Sequence, residues 1–231
     1  MLSIKDLNSF FGRSHVLHDI SLEIGEGDVT SILGRNGVGK TTLLKTLMGL
    51  SDRVTGEINL QGRNIASSEP YARARSGIAY VPQGREIIPD FTVRENILMG
   101  GFARADGKPT LPEIVIELFP YLRDNMERSG GLLSGGQQQQ LAIARALAAD
   151  PGLLLLDEPN EGIQPSIVEE IEQVIFKLNR ELGLTVILVE QNVRFAREVS
   201  HRFAMMEKGR IVAEGPTTEL TDDLVHEHMT V

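Results

Sequence analysis

Two periods of apolar and polar residues divide the chain. Ser3-Ile4-Lys5-Asp6-Leu7 and Ile20-Ser21-Leu22-Glu23-Ile24 alternate with a period of two, which predicts half-exposed antiparallel strands. Gly25-Glu26-Gly27-Asp28 is a turn that leads into Val29-Thr30-Ser31-Ile32-Leu33, a β-branched segment that reads as a buried strand. After a glycine-rich stretch, Leu43, Leu44, Leu47, Met48 and Leu50 recur at helical spacing. Gly56-Glu57-Ile58-Asn59-Leu60-Gln61-Gly62 alternates again, and Gly77-Ile78-Ala79-Tyr80-Val81-Pro82-Gln83 reads as a buried strand that reaches the edge of its sheet at Pro-Gln.

From residue 84 to 147 the period becomes helical. Ile114, Val115, Leu118, Phe119 and Leu122 share one helical face, and Leu141, Ala144 and Ala148 share another. Between these faces runs a polar, glycine-containing loop, Gly100 to Pro109. Strand texture returns at Leu153-Leu154-Leu155-Leu156-Asp157-Glu158. Pro165 then opens a helix that buries Ile167, Val168, Ile171, Val174, Ile175 and Leu178, proline being free of hydrogen-bond cost at a first helical position. Leu184 to Val189 is a further buried strand, and Phe203–Met206 with Arg210–Glu214 form a closing pair around Lys208-Gly209. The tail from Thr217 is polar and acidic. The pattern predicts a single α/β domain over 1–231, in which 1–83 and 148–231 form a sheet core with an antiparallel β sub-domain and 84–147 an inserted helical sub-domain.

Composition narrows the partners. With 231 residues, 41% of them hydrophobic and 24% charged, the chain is an ordinary globular one. A formal charge of −9 disfavours a nucleic-acid track, and the lack of cysteine excludes a disulfide scaffold and a thiolate metal site and suits a reducing compartment. No apolar run approaches the roughly 20 residues that span a bilayer, and Met1-Leu2-Ser3-Ile4 begins as a strand and not as a signal peptide. Any meeting with a membrane is therefore expected to pass through another protein.

The chemistry begins at Gly34-Arg35-Asn36-Gly37-Val38-Gly39-Lys40-Thr41-Thr42, which fits the phosphate-loop pattern G-x-x-x-x-G-K-S/T between a strand and a helix. That arrangement aims backbone N–H groups and the helix's positive end at one point, so an anion belongs there. Gly34, Asn36, Gly37, Gly39 and Thr42 shape the cradle, Lys40 reaches the β- and γ-phosphates, and the Thr41 hydroxyl holds Mg²⁺. Asp157 and Glu158, at the end of a leucine-rich strand, supply a second part: Asp157 for the Mg²⁺ shell, Glu158 to orient or deprotonate the attacking water. Leu133-Ser134-Gly135-Gly136-Gln137 supplies a third. Ser134 caps a helix whose first turn, through Gly135 and Gly136, lets an anion approach the backbone closely. One chain thus carries one phosphate loop and two anion-facing helix starts.

With these motifs in order, the sequence resembles the ATP-binding-cassette ATPases over essentially its whole length. Gly34–Thr42 matches their Walker A, Leu133–Gln137 their signature motif, and Leu153–Glu158 their Walker B with its catalytic glutamate. The resemblance implies ATP and Mg²⁺ as ligands and a P-loop ATPase fold. It also implies that Gln83 contacts Mg²⁺ and senses the membrane partner, that Phe11 stacks on adenine, and that Ser134, Gly135, Gly136 and Gln137 bind the nucleotide held by a facing subunit in a head-to-tail dimer.

A narrower resemblance is to the small ATPase of branched-chain amino-acid-type importers, and within it to the urea and short-chain-amide branch. It rests on Val81–Glu86, Leu133–Ala146 and Asp157–Pro165. It implies an energy-coupling subunit at the cytoplasmic face of the inner membrane, joined to transmembrane permease subunits and indirectly to a periplasmic binding protein. A branched-chain amino-acid importer and a lipid-export ATPase are the alternatives. Two positions depart from the broad family: Gln164 stands where most members carry an aspartate, and Gln191 where most carry a γ-phosphate-contacting histidine. A glutamine amide hydrogen-bonds phosphate but carries no proton near neutral pH, so a heterodimer with a second, histidine-bearing ATPase is expected, with a homodimer open to the isolated chain. Ile87, Ile88 and Phe91 are either apolar anchors for the permease or helical core.

Overall fold

The computed structural model describes residues 1–229. β1 (Leu2–Phe11) and β2 (Ser14–Ile24) open the chain, followed by β3 (Val29–Leu33), α1 (Lys40–Leu47), β4 (Arg53–Leu60), β5 (Arg63–Asn64), α2 (Pro70–Arg75) and β6 (Ile78–Val81). A helical stretch holds α3 (Val93–Gly101), α4 (Glu113–Leu118), α5 (Pro120–Asp124), a 3₁₀ turn at Gly130–Leu132 and α6 (Gly135–Leu147). The chain then runs through β7 (Leu153–Asp157), α7 (Pro165–Leu182), β8 (Thr185–Glu190), α8 (Val193–Val199), β9 (Arg202–Glu207), β10 (Arg210–Pro216), a 3₁₀ turn at Thr217–Glu219 and α9 (Asp222–Met229).

Two sheets result. The first has the order β2-β1-β4-β5 and is antiparallel throughout. Its strands bury alternate side chains, as period-two segments must when one face is covered. The second has the order β10-β9-β3-β8-β7-β6; all its pairs are parallel except the edge pair β9–β10. Every residue of β3, β7 and β8 is buried, because helices or the first sheet cover both faces. One core lies between the two sheets around Leu43, Leu44 and Leu47 of α1. Another joins the far face of the parallel sheet to α3, α4, α5, α6 and α7.

Several expectations shift at their edges. Leu50 lies beyond α1 and is 48% exposed. The helix stops because Gly49 turns left-handed, at φ 77°, where a Cβ would sit 2.9 Å from the Arg73 Nε. Ile114 to Leu122 is not one helix: Pro120 lacks the N–H that would continue α4, so the face divides between α4 and α5 while Val115, Phe119 and Leu122 stay buried. Gly100 and Gly101 belong to α3 and not to the loop after it; a Cβ on Gly100 would lie 1.8 Å from the Arg145 carbonyl oxygen of α6, so glycine lets these helices touch. β4 begins at Arg53, ahead of Gly56, whose φ of 93° sits at a shift in the β1–β4 register. The polar tail folds as well, burying Leu220 against Leu33, Ala196, Phe203 and Met205. Ile87 packs on the helical core, whereas Phe91 is 36% exposed.

Arg73 ties the second helix to the first. Its guanidinium is buried and donates to the carbonyls of Thr46 (2.8 Å), Leu47 (3.0 Å), Ala66 (2.8 Å) and Ser68 (2.9 Å). Two of these acceptors end α1, whose last carbonyls have no partner within the helix. Arg73→Met keeps the aliphatic volume but takes the guanidinium away from these carbonyls, of which that of Thr46 keeps the Gly49 N–H at 3.0 Å. Urea denaturation is expected to show a loss of about 3 kcal/mol with an unchanged m-value.

Candidate functional site

Parallel pairing puts the C-terminal ends of β3, β6, β7 and β8 along one border of the sheet, where ligands of open α/β sheets bind. Leu33 pairs with Glu190, and Asp157 with Val189, so the phosphate loop, Asp157-Glu158 and Glu190-Gln191 emerge side by side. Gln83 follows β6 on the same border. The loop between β3 and α1 fits tightly over the β9–β10 turn. A Cβ on Gly34 would fall 2.5 Å from the Met206 carbonyl oxygen, and the Gly209 N–H donates to the Val38 carbonyl at 2.8 Å.

Beside this loop lies a cavity of about 310 Å³ lined by Val16, Asn36, Gly37, Gly39, Lys40, Thr41, Thr42, Gln83 and Glu158. Lys40 is buried, donates to the carbonyls of Gly34 (2.8 Å) and Arg35 (3.0 Å), and places Nζ 3.4 Å from Glu158 Oε1. Burial lowers the Lys40 pKa, and Glu158 works against that shift. The Thr41 hydroxyl donates to Asp157 Oδ1 and the Tyr80 hydroxyl to Oδ2, each at 3.0 Å. Burial raises the Asp157 pKa against the opposing effect of these two bonds.

Glu158 is the hub. It leaves β7 at φ 46°, a left-handed backbone unusual for a non-glycine residue, and its N–H donates to the Val189 carbonyl at 3.0 Å. The Gln191 amide donates to Oε1 at 3.0 Å, and the Gln83 amide lies 3.4 Å from Oε2 while donating to Glu161 at 2.8 Å. The structure thus brings together Lys40, Thr41, Asp157, Glu158, Gln83 and Gln191.

Asn36, Gly37, Gly39 and Thr42 also line the cavity, whereas Phe11 and residues 134–137 lie outside it. Phe11 ends β1 opposite Ser14 and is absent from the cavity lining, in which Val16 stands instead. Ser134 and Gln137 form a reciprocal capping box at the start of α6, the Ser134 N–H donating to Gln137 Oε1 at 2.9 Å, and none of residues 134–137 lines the cavity. Gln164 is the exposed residue that precedes α7. Tyr80, Glu161 and Glu190 are contributors that the sequence pattern did not single out. A tyrosine inside a buried strand was the local signal for the first of them; that the strand lies beside β7 emerges only from the sheet order.

Thr41 and Asp157 are hard oxygen donors that touch, which suits Mg²⁺. Among the described residues no three His, Cys, Asp or Glu cluster.

Residues 17–161 match the ABC transporter family. The chain belongs to that family. This ABC protein is 42% identical over 213 residues to the high-affinity branched-chain amino acid transport ATP-binding protein BraG of Pseudomonas aeruginosa, covering 92% of this chain and 91% of the relative. It is 37% identical over 224 residues to the probable branched-chain amino acid transport ATP-binding protein LivF of Archaeoglobus fulgidus, covering 96% and 94%. A dimeric ATP-binding cassette in a post-hydrolysis state with ADP and Pi superposes with a TM-score of 0.80 at 26% identity, over 94% of this chain and 99% of that one. The fold expected from the motifs, that of an ABC ATPase, is therefore the observed one, and ATP hydrolysis is its activity.

Glu190 gives the site a pH signature. Burial pushes its pKa from 4.5 to about 7. Between those values the unfolded chain releases a proton that the folded chain keeps, so the contribution of Glu190 to stability is complete below 4.5 and is lost as pH rises through 7. Glu190→Gln removes the titration. Denaturation from pH 4.5 to 8 is expected to show wild type losing about 3 kcal/mol relative to that variant.

Proposed function

We propose that this ABC ATPase is the energy-coupling subunit of an importer for branched-chain amino acids. The observation that carries the chemistry is the convergence of Lys40, Asp157-bound Thr41 and Gln191-bound Glu158 on one cavity. The relatives named for branched-chain amino acid transport support the solute class.

In this reading Lys40 and the N–H groups of Gly37, Gly39 and Lys40 bind the β- and γ-phosphates of ATP. Glu158, held by Gln191, takes a proton from water as the water oxygen attacks the γ-phosphorus and the bond to the ADP oxygen breaks. Thr41, Asp157 and Gln83 would hold Mg²⁺, which neutralises charge on the phosphate oxygens when bound. Ser134 to Gln137 do not line the cavity of their own chain and serve the nucleotide of a facing subunit. With Gln191 and Gln164 in two switch positions, that subunit is a second ATPase carrying the histidine. Among the described residues no helix is long and apolar enough to cross a membrane, and force passes to permease subunits at the cytoplasmic face of the inner membrane. Phe91, 36% exposed just beyond Gln83, is part of that contact.

A urea or short-chain-amide solute is the second reading. It is favoured by the resemblance of Val81–Glu86 and Asp157–Pro165 to that branch.

Two outcomes test the proposal. Glu158→Gln is expected to retain ATP binding while kcat falls at least about 100-fold; unchanged phosphate release would remove Glu158 from the role of base. In proteoliposomes containing the permease pair and both ATPases, the binding protein loaded with leucine, isoleucine or valine is expected to stimulate ATP turnover. Stimulation by urea or acetamide alone would transfer the assignment to the second reading.

A further inference from the structure

Glu190 is a buried carboxyl for which the reaction outlined above has no use. It ends β8 at 2% exposure, opposite Leu33 of β3, at the root of the phosphate loop. One carboxyl oxygen, Oε2, accepts the backbone N–H of Gln191 at 3.1 Å and that of Asn192 at 3.3 Å. The other, Oε1, is buried with no hydrogen-bond partner among the described residues. Burying a carboxyl with one oxygen unsatisfied is costly, so the site gains something from keeping it.

The turn that it organises shows what. Asn192 turns its side chain forward, accepting the Phe195 N–H at 3.1 Å and capping α8. Glu190 turns inward and bonds the backbone of both followers. Of the three consecutive side chains, only Gln191 is left to reach the hub, where its amide donates to Glu158 Oε1. A bond to two successive N–H groups fixes the φ and ψ of the residue between them. That residue is Gln191.

We propose that Glu190 is a positioning residue for ATP hydrolysis: its carboxyl fixes the Gln191–Asn192 backbone in the turn that presents the Gln191 amide to Glu158. This rests on the assignment of Gln191 to the nucleotide site. Oε2 accepts both bonds whether or not the other oxygen carries a proton, so the role needs an acceptor atom and not a charge.

The test is a double-mutant cycle on the full chain, reading kcat and KM for ATP in the presence of Mg²⁺. Glu190→Ala is expected to lower kcat about tenfold or more with KM within about threefold, and Glu190→Gln, which retains an acceptor oxygen, to recover kcat to within about threefold of wild type. In a Gln191→Ala background, Glu190→Ala is expected to cost less than about twofold. Glu190→Asp replaces Glu190→Ala in the cycle if the alanine variant does not fold. Wild-type kcat in Glu190→Ala, equal losses in both backgrounds, or a Gln variant as poor as the Ala variant would each overturn the proposal while leaving Gln191 in place. Wild-type kcat in Gln191→Ala alone would instead remove Gln191 from the site, and the positioning role with it.

Discussion

The register of three buried parallel strands governs the chemistry of this protein. β3, β8 and β7 are locked with Leu33 beside Glu190 and Val189 beside Asp157. Parallel pairing sends every strand out at the same border, so a slip of one residue would turn Asp157 from the site into the core. The continuous burial of Val29–Leu33, Leu153–Asp157 and Thr185–Glu190 makes such a slip expensive. The 3.0 Å bond from Thr41 to Asp157 is thus a by-product of packing leucines and valines in layers.

On that frame the site is a small network with Glu158 at its centre. Lys40 supplies a cation at 3.4 Å, and the amides of Gln191 and Gln83 supply donors to the two oxygens. Buried networks of this kind are informative because each missing bond is costly in a low-dielectric setting. A glutamine in the position of a histidine changes what the network can do: it donates one fixed hydrogen bond and cannot gain a charge as pH falls.

Much of this was legible in the residues. The phosphate loop and the capped start at Ser134 are local patterns whose hydrogen bonds close within a few residues. Asp157-Glu158 is legible as a pair, but its partners Thr41, Tyr80, Gln83 and Gln191 come from distant parts of the chain. Element edges were less legible. Leu50 fits a helical period yet falls outside α1, because a left-handed Gly49 and a guanidinium from a distant helix end that helix. Likewise, periodicity could not see that Pro120 divides one apolar face between two short helices. Tyr80 and Glu161 enter the site only through the strand order, which no spacing in the chain encodes. Phe11 and Val16 differ for a similar reason, since which of two hairpin residues turns toward the cavity depends on irregular pairing in β1 and β2.

The guanidinium of Arg73 reaches further than its four carbonyls. α1 is eight residues long, a span of about 12 Å, so the partial negative charge at its C-terminus lies close enough to weaken the positive potential at its start. Arg73 covers that negative pole with a buried cation at Thr46 and Leu47. With that pole covered, the C-terminal end subtracts less from the positive potential that the loop and Lys40 set against the nearby Asp157 and Glu158. A residue that never approaches the cavity therefore contributes to its affinity for anions, from the opposite end of the helix.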